Sequence, residues 1–212
     1  MASVPSTAET RQGRREERKA ENREKLLAAA RKVFAEKGVG AATARDIVRE
    51  TDLASGTFYN YFRDKDEVFR ALVEELTEKA RAAVRAQRKQ PGRTLEERIE
   101  GAYRAYFQLV LEERELFIML RRNAGVISQS GTQNLLESGI GDLVEDMAEW
   151  EEAGDLPRVD LDYLATAMVG AAFYIAGHLV ERQPPDVEAA TSFCARLFVG
   201  GIRAVSPPAE TG

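Results

Sequence analysis

The sequence has little of what several classes of protein depend on. Its 212 residues include one cysteine and one histidine, so no intramolecular disulfide can form and too few soft ligands are present for a zinc site. The first twenty residues pass from small side chains straight into charged ones, without the apolar stretch that begins a secretory signal. We therefore expect a cytoplasmic protein without a disulfide framework, a metal site or a cofactor.

Sequence motifs typical of enzymes are also absent. There is no G-x-S-x-G nucleophile elbow, no Walker-type phosphate loop, no dinucleotide-binding glycine fingerprint and no paired-histidine metal motif. Residues 161–180 are apolar on nearly every helical face, and about 20 such residues suffice to cross a membrane. Because Asp162, Thr166, His178 and many alanines and glycines lower the hydrophobicity of this stretch, we do not expect a membrane protein. Because the enzyme motifs are absent from the sequence, we do not expect an enzyme.

Charge is distributed unevenly along the chain. The net charge is −5 overall, but residues 1–65 carry +4 and residues 66–212 carry −9. A basic N-terminal part joined to an acidic remainder indicates that the N-terminal part binds a polyanion and that the remainder has a different function.

Apolar residues recur at helical spacing throughout, and the alternation typical of strands is missing. The spacing predicts an all-α fold, with a first helix around residues 26–34 that glycines at 38 and 40 stop, and a long helix over 66–87. Further helices are predicted around 95–110, 116–120, 135–147, 161–180 and 185–204. Residues 1–20 are predicted to be a disordered basic tail, and residues 206–212 a second disordered tail.

The sequence of residues 34–69 predicts two short helices joined by a tight turn. The first is predicted to begin near Thr43 and the second near Ser55, with the turn at Asp52. Such a pair forms a helix-turn-helix, whose second helix can enter the major groove of DNA. The phenylalanines and one isoleucine of this stretch are predicted to form its core: Phe34, Ile47, Phe58, Phe62 and Phe69.

Three groups of residues in this stretch closely resemble the TetR family of bacterial one-component transcriptional regulators. They are Thr43-x-Arg45-Asp46-Ile47, the run SGTFYNYF over 55–62, and Lys65-x-Glu67, in that order and spacing. The resemblance covers about residues 25–69 and implies DNA contacts at nine positions: Thr43, Arg45, Ser55, Gly56, Thr57, Tyr59, Asn60, Tyr61 and Lys65. One departure is Asp52, which replaces a common turn glycine and can tolerate a left-handed backbone.

The same resemblance implies how the chain is organised and what it does. Residues 21–66 would form a three-helix DNA-binding domain, and residues 67–205 a helical domain for effector binding and dimerisation. The expected protein is a repressor that binds double-stranded palindromic operator DNA as a homodimer and is released by a small effector.

Aromatic, methionine and arginine side chains on separate helices of the acidic body are candidates for the effector site. They are Tyr103, Phe107, Met119, Arg121, Arg122, Met147 and Phe173. An apolar molecule of moderate size with an acidic group, such as a fatty acid or its thioester, would suit them. Each apolar residue also fits plain core, and the arginines also fit surface pairing with nearby glutamates.

Small residues in 161–180 permit close approach of helices and, with the last helix, predict a four-helix dimer interface. Its candidates are Gly170, Gly177, His178 and Phe198.

Two alternatives stay open at this point. The chain also fits a helical lipid- or partner-binding module without specific DNA binding, or an enzyme built on helices without a familiar motif. DNA binding that falls steeply with salt would separate a regulator from both. The cations Arg11, Arg14, Arg15, Arg18 and Lys19 fit either an arm that follows DNA or a solvated tail, because Glu16 and Glu17 dilute their charge.

Overall fold

The computed structural model describes residues 7–123 and 133–205. Within these ranges the chain is all-α, as predicted, with eight α-helices, one 3₁₀ helix and no strand. The elements are α1 (Thr7–Ala41), α2 (Ala44–Arg49), the 3₁₀ helix (Ser55–Asn60), α3 (Lys65–Arg88), α4 (Leu95–Glu112), α5 (Arg114–Arg122), α6 (Gln133–Glu152), α7 (Leu161–Glu181) and α8 (Val187–Val205). The predicted tail at 206–212 lies outside the described residues.

The chain divides into two compact units between Val73 and Glu74, beyond the boundary predicted at residue 66. The difference arises because the first turns of α3 supply core to the N-terminal unit. Phe69 and Leu72 of these turns are fully buried, and the Phe69 ring meets that of Phe34 edge to face at 6.0 Å between centroids.

The first helix is longer than the sequence predicted. α1 begins at Thr7, so residues 7–20 are helical rather than disordered. The physical reason is composition, because this segment consists largely of arginine, glutamate, lysine and alanine, which are strong helix formers. Its regular path breaks at Gly38, whose φ of 77° is unfavourable for other residues.

The C-terminal unit is a helical bundle around α4. This helix packs on α7 and α8, while α5 and α6 both pack on α7. The largest fully buried side chains here include Phe107, Met147, Leu156 and Ile202. The bundle therefore buries one face of α4 and α6, as their periodicity predicted.

Two helices of this unit expose large apolar side chains. Tyr163 and Tyr174 of α7 are 79% and 68% exposed, and Phe193 and Leu197 of α8 are 55% and 51% exposed. By length and composition alone α7 could also cross a membrane, but one such helix is weak evidence because core helices of soluble proteins pass the same test. Only a third of its most apolar stretch is buried within the chain.

Candidate nucleic-acid interface and ligand cavity

Thr43 and Asp46 fix the start of α2 by a capping box. The Thr43 hydroxyl accepts a hydrogen bond from the Asp46 backbone N–H at 3.2 Å and donates to Asp46 Oδ2 at 2.7 Å. Lys37 Nζ donates to Asp46 Oδ1 at 2.7 Å. The bonds from Lys37 and then from Thr43 lower the pKa of Asp46 to about 2. The Thr43 side chain is thus engaged in capping, which satisfies backbone groups that a helix start leaves unpaired.

Two further lysines of α1 hold the segment that follows. Lys32 Nζ lies 2.5 Å from Glu50 Oε2, and Lys25 Nζ lies 3.1 Å from Asp52 Oδ2. The bond from Lys25 lowers the pKa of Asp52. No non-glycine residue within the described ranges has a positive φ, so Asp52 does not take the left-handed conformation considered from sequence. Its carboxylate ties the turn to α1 instead.

The second short helix of the motif is a 3₁₀ helix, Ser55–Asn60. Phe58 on this helix and Phe62 just after it are buried, with ring centroids 5.9 Å apart. Tyr59 is 67% exposed and Asn60 is also exposed, while Thr57 is half-buried. The element therefore places two aromatic rings in the core and leaves polar groups at the surface, as the sequence predicted.

The other residues predicted to contact DNA differ in their exposure and in the hydrogen bonds that they already make. Arg45 and Gly56 are exposed, and Arg45 has no hydrogen bond or ion pair with any residue that the structure describes. The Tyr61 hydroxyl accepts a hydrogen bond from Asn22 Nδ2 at 3.2 Å. Lys65 Nζ donates to the carbonyl oxygens of Val39 and Gly40 at 2.8 and 2.6 Å. The ammonium of Lys65 therefore binds carbonyl oxygens in the last turn of α1, which the sequence analysis did not predict. Only its third N–H is free to donate to a phosphate. The side chain of Ser55 is outside the described part.

The C-terminal unit contains a cavity of about 140 Å³. Its lining is mostly apolar and aromatic and includes Tyr103, Tyr106, Trp150, Met168 and Phe173. The Tyr103 hydroxyl donates to the Met168 carbonyl oxygen at 3.1 Å, and burial raises the pKa of this phenol. The geometry fits an apolar ligand group rather than acid–base chemistry at neutral pH.

Two arginines on α3 also line this cavity, and the sequence analysis missed them. Arg81 binds both carboxylate oxygens of Asp142, at 2.8 and 3.0 Å, which lowers the pKa of Asp142. Arg88 is buried and its Nε lies 2.7 Å from Asp146 Oδ2, while burial lowers the pKa of Arg88. One feature of the sequence could have identified them, because their spacing of seven residues places both arginines on the same face of α3 as Val84.

Five of the seven predicted ligand residues lie away from this cavity. Phe107, Met119 and Met147 are buried core residues outside its lining. Arg122 is exposed, and Arg121 lies against Gly177 with its Nη1 3.5 Å from Glu181 Oε1. These five residues therefore do not line this cavity, because periodicity identifies buried positions without distinguishing core from cavity wall, and their contact with an effector stays a prediction.

The predicted interface residues on α7 and α8 also separate into different environments. A Cβ at Gly177 would overlap the Arg121 guanidinium of the same chain, so the Arg121 side chain covers Gly177 within this chain. Gly170 has open space beside it, and His178 is exposed. Phe198 is half-buried and stacks on Tyr103 at 6.0 Å.

The described residues contain no group of three or more metal-ligating side chains that could hold an ion. Cys194 is buried, and burial raises the pKa of its thiol to about 11. A thiol protonated at neutral pH is a weak nucleophile. Neither observation points to a catalytic or metal centre in this part of the chain.

Models of known protein families match residues in both units of the chain. Residues 26–72 match the model of bacterial regulatory proteins of the tetR family, and residues 95–201 match the tetracyclin repressor-like C-terminal domain. The HTH-type transcriptional regulator YvdT of Bacillus subtilis (strain 168) is 45% identical over 53 residues, which are 25% of this chain. The HTH-type transcriptional repressor Rv1474c of Mycobacterium tuberculosis is 39% identical over 67 residues, or 32% of this chain. These matches span only 27% and 36% of the two relatives' own lengths.

Solved structures share the fold over most of the chain. A TetR-family regulator from Syntrophomonas wolfei has a TM-score of 0.77 and 19% identity, covering 92% of this chain and all of its own. FadR from Bacillus subtilis, in complex with stearoyl-CoA, has a TM-score of 0.70 and 19% identity, covering 84% of this chain and 98% of its own. Similarity at this level of identity concerns the fold.

Proposed function

This chain belongs to the TetR family of bacterial regulatory proteins, and from that premise we propose that it is a cytoplasmic transcriptional repressor rather than an enzyme. It binds an inverted-repeat operator as a homodimer. A small molecule with an apolar body releases it from DNA.

The observation that carries the proposal is the surface of the 3₁₀ helix. Tyr59 and Asn60 are exposed while the rings of Phe58 and Phe62 anchor the same segment in the core. An amide at the surface of an anchored helix suits base readout, because it can donate to and accept from a base edge in the major groove. The bonds from Lys25, Lys32 and Lys37 hold the preceding turn, so the helix is presented in one orientation.

Substitution of Asn60 tests this assignment. Asn60→Ala should cost about 1–3 kcal/mol at the base pair that Asn60 reads, and should relax the preference there. Gln108→Ala removes an exposed amide from α4 and should change neither quantity. Fluorescence anisotropy against a set of single-base operator variants measures both. An unchanged preference at every position in Asn60→Ala would remove the 3₁₀ helix from base readout, and lipid binding without DNA binding would favour the alternative module.

The exposed faces of α7 and α8 support a homodimer. Tyr163, Tyr174, Phe193 and Leu197 are large apolar side chains exposed on two helices that pack on each other, which suits a surface that a second copy covers. Pairing with the same helices of a second copy would bury it in a four-helix arrangement with two-fold symmetry. Two recognition helices would then face two half-sites.

The cavity in the C-terminal unit is the proposed effector site. At about 140 Å³ it holds a group of roughly the size of benzene without rearrangement. A longer acyl chain would have to move the surrounding helices apart. The stearoyl-CoA complex of the structural neighbour supports an acyl effector. Arg81 and Arg88 line the cavity, whereas Arg121 and Arg122 do not. Because Arg81 is bound to Asp142 and Arg88 to Asp146, an acidic group on the effector would have to displace one of these carboxylates.

Helix α3 is the proposed link between effector and DNA. Its first turns carry the core residues Phe69 and Leu72 of the N-terminal unit, and its last turns carry the cavity residues Arg81 and Arg88. A ligand that displaces the last turns can therefore favour a state with lower DNA affinity. A coupling of about 1–3 kcal/mol corresponds to roughly 5- to 150-fold weaker operator binding.

Calorimetry with stearoyl-CoA and with octanoate, each with and without operator DNA, tests this link. Operator DNA should lower the affinity for the effector by the same factor by which the effector lowers operator affinity. Phe173→Ala should weaken effector binding at least tenfold, about 1.4 kcal/mol, while Gln108→Ala changes an exposed side chain of α4 outside the cavity lining and serves as the control. Equal affinities with and without operator for both compounds would contradict an acyl effector.

A further inference from the structure

The face of α1 that packs into the N-terminal unit changes chemistry towards the N-terminus. Leu26, Ala30 and Val33 are buried on this face. At 3.6 residues per turn, Lys19 and Arg15 continue the same stripe, seven and eleven residues before Leu26. The apolar stripe that packs against the core therefore becomes a cationic stripe beyond it.

Most acidic side chains of this part of α1 lie on the side of the helix opposite to Arg15, Arg18 and Lys19, and Arg14 shares the acidic side. Arg15, Arg18 and Lys19 fall within one half of the helical circumference, and Glu17, Glu21 and Glu24 fall within the other. Glu17 therefore lies away from the cationic stripe, in contrast to the interpretation from linear sequence. Glu16 lies at its border and has a partner of its own.

The cationic stripe shares a groove with the recognition segment. This groove is lined by Arg15, Glu16, Arg18, Lys19 and Asn22 of α1 together with Asn60 and Tyr61, so three cations share it with one carboxylate. The hydrogen bond from Asn22 Nδ2 to the Tyr61 hydroxyl joins the two elements at 3.2 Å. A second contact follows one residue later, where the Arg23 guanidinium lies 5.5 Å from the centre of the Phe62 ring. These contacts fix the stripe relative to the 3₁₀ helix.

We propose that the stripe of Arg15, Arg18 and Lys19 is a second DNA-contacting surface, which binds backbone phosphates beside the bases read by the 3₁₀ helix. This inference rests on the proposed function. In the described part of the chain these three cations are exposed and have no hydrogen bond or ion pair, so they are available for phosphate. Guanidinium and ammonium groups release counterions when they bind phosphate, and this contribution to affinity is independent of sequence.

The test compares Arg15→Gln/Lys19→Gln with a matched pair in the C-terminal unit, Arg158→Gln/Arg182→Gln, which also removes two exposed positive charges. Each protein is titrated over a range of salt concentrations with two duplexes of about 40 base pairs, long enough for two half-sites. One duplex carries the operator that the wild-type protein selects from a randomised library, and the other has a mixed sequence. The slope of log affinity against log salt should become shallower by about 0.9 for every phosphate that the variant no longer binds. Glutamine is a good helix former, so α1 should keep its helicity by circular dichroism.

We expect Arg15→Gln/Lys19→Gln, the groove variant, to bind both duplexes at least tenfold more weakly than the wild type. Its ratio of operator affinity to mixed-sequence affinity should equal that of the wild type. Arg15→Lys/Lys19→Arg should bind as the wild type does. A groove variant with the affinity and salt slope of the matched control would overturn the second surface while leaving the proposed function intact. A wild-type protein that binds neither duplex would overturn both.

Discussion

Thr43 combines an observed structural role with a predicted contact to DNA. Its hydroxyl caps α2, and removal of a threonine N-cap costs about 1 kcal/mol of stability. Thr43→Ala should therefore lower the free energy of unfolding by about this amount. If the side chain also contacts DNA, operator affinity should fall at a temperature where the variant is fully folded. Urea unfolding and anisotropy titration measure the two effects separately.

Thr94 provides the control for Thr43 because the chain repeats the same device there. Its side chain caps α4 with the same reciprocal bonds to Glu97 that Thr43 makes to Asp46. Thr94→Ala should lower stability by a similar amount and leave operator affinity unchanged. Equal losses of operator affinity in the two variants would mean that Thr43 acts through stability alone.

Core residues of the N-terminal unit could be predicted from the sequence because helical spacing determines which side chains share a face. Phe34, Phe58 and Phe62 are buried as the spacing indicated. The partners of Asp52 and Lys65 could not be predicted in this way. They lie 27 and 25 or 26 residues away along the chain, and such contacts depend on how the helices pack.

Among the elements, glycine and capping signals located helix ends well, whereas the polarity of residues 1–20 led to a wrong start for α1. The break at Gly38 and the cap at Thr43 match the sequence signals. The segment before residue 20 was predicted as disordered because it cannot form a core of its own. Residues 7–20 are helical as a continuation of a helix that is already anchored by buried residues, which removes the cost of starting a new one.

The exposed face of α8 is expected to hold the dimer together. Leu197→Glu places a charge on this face, and an unpaired charge that dimerisation would desolvate should shift the protein to monomer. Sedimentation velocity measures the oligomeric state, and operator affinity should fall with it.

Ala82→Glu controls for the added charge, since Ala82 is exposed on α3. This variant should remain dimeric if the wild type is dimeric. A dimer that survives Leu197→Glu as well as Ala82→Glu would place the interface on another surface.

For the whole molecule, the fold class could be predicted but the cavity could not. Periodicity identified Tyr103 and Phe173 as inward-facing, and both line the cavity. Which inward-facing residues surround empty space depends on the packing of several helices at once, so Phe107 and Met147 were not separable from them by sequence. The charged pairs beside the cavity join α3 to α6 and were missed for the same reason.

Selection of DNA by the full-length protein from a randomised duplex library is the most direct test of the central claim. The account predicts enrichment of an inverted repeat whose half-sites lie about one helical turn or slightly more apart, with affinity that falls steeply as salt rises. A library that yields no enriched sequence, or binding that is insensitive to salt, would contradict operator recognition by this chain.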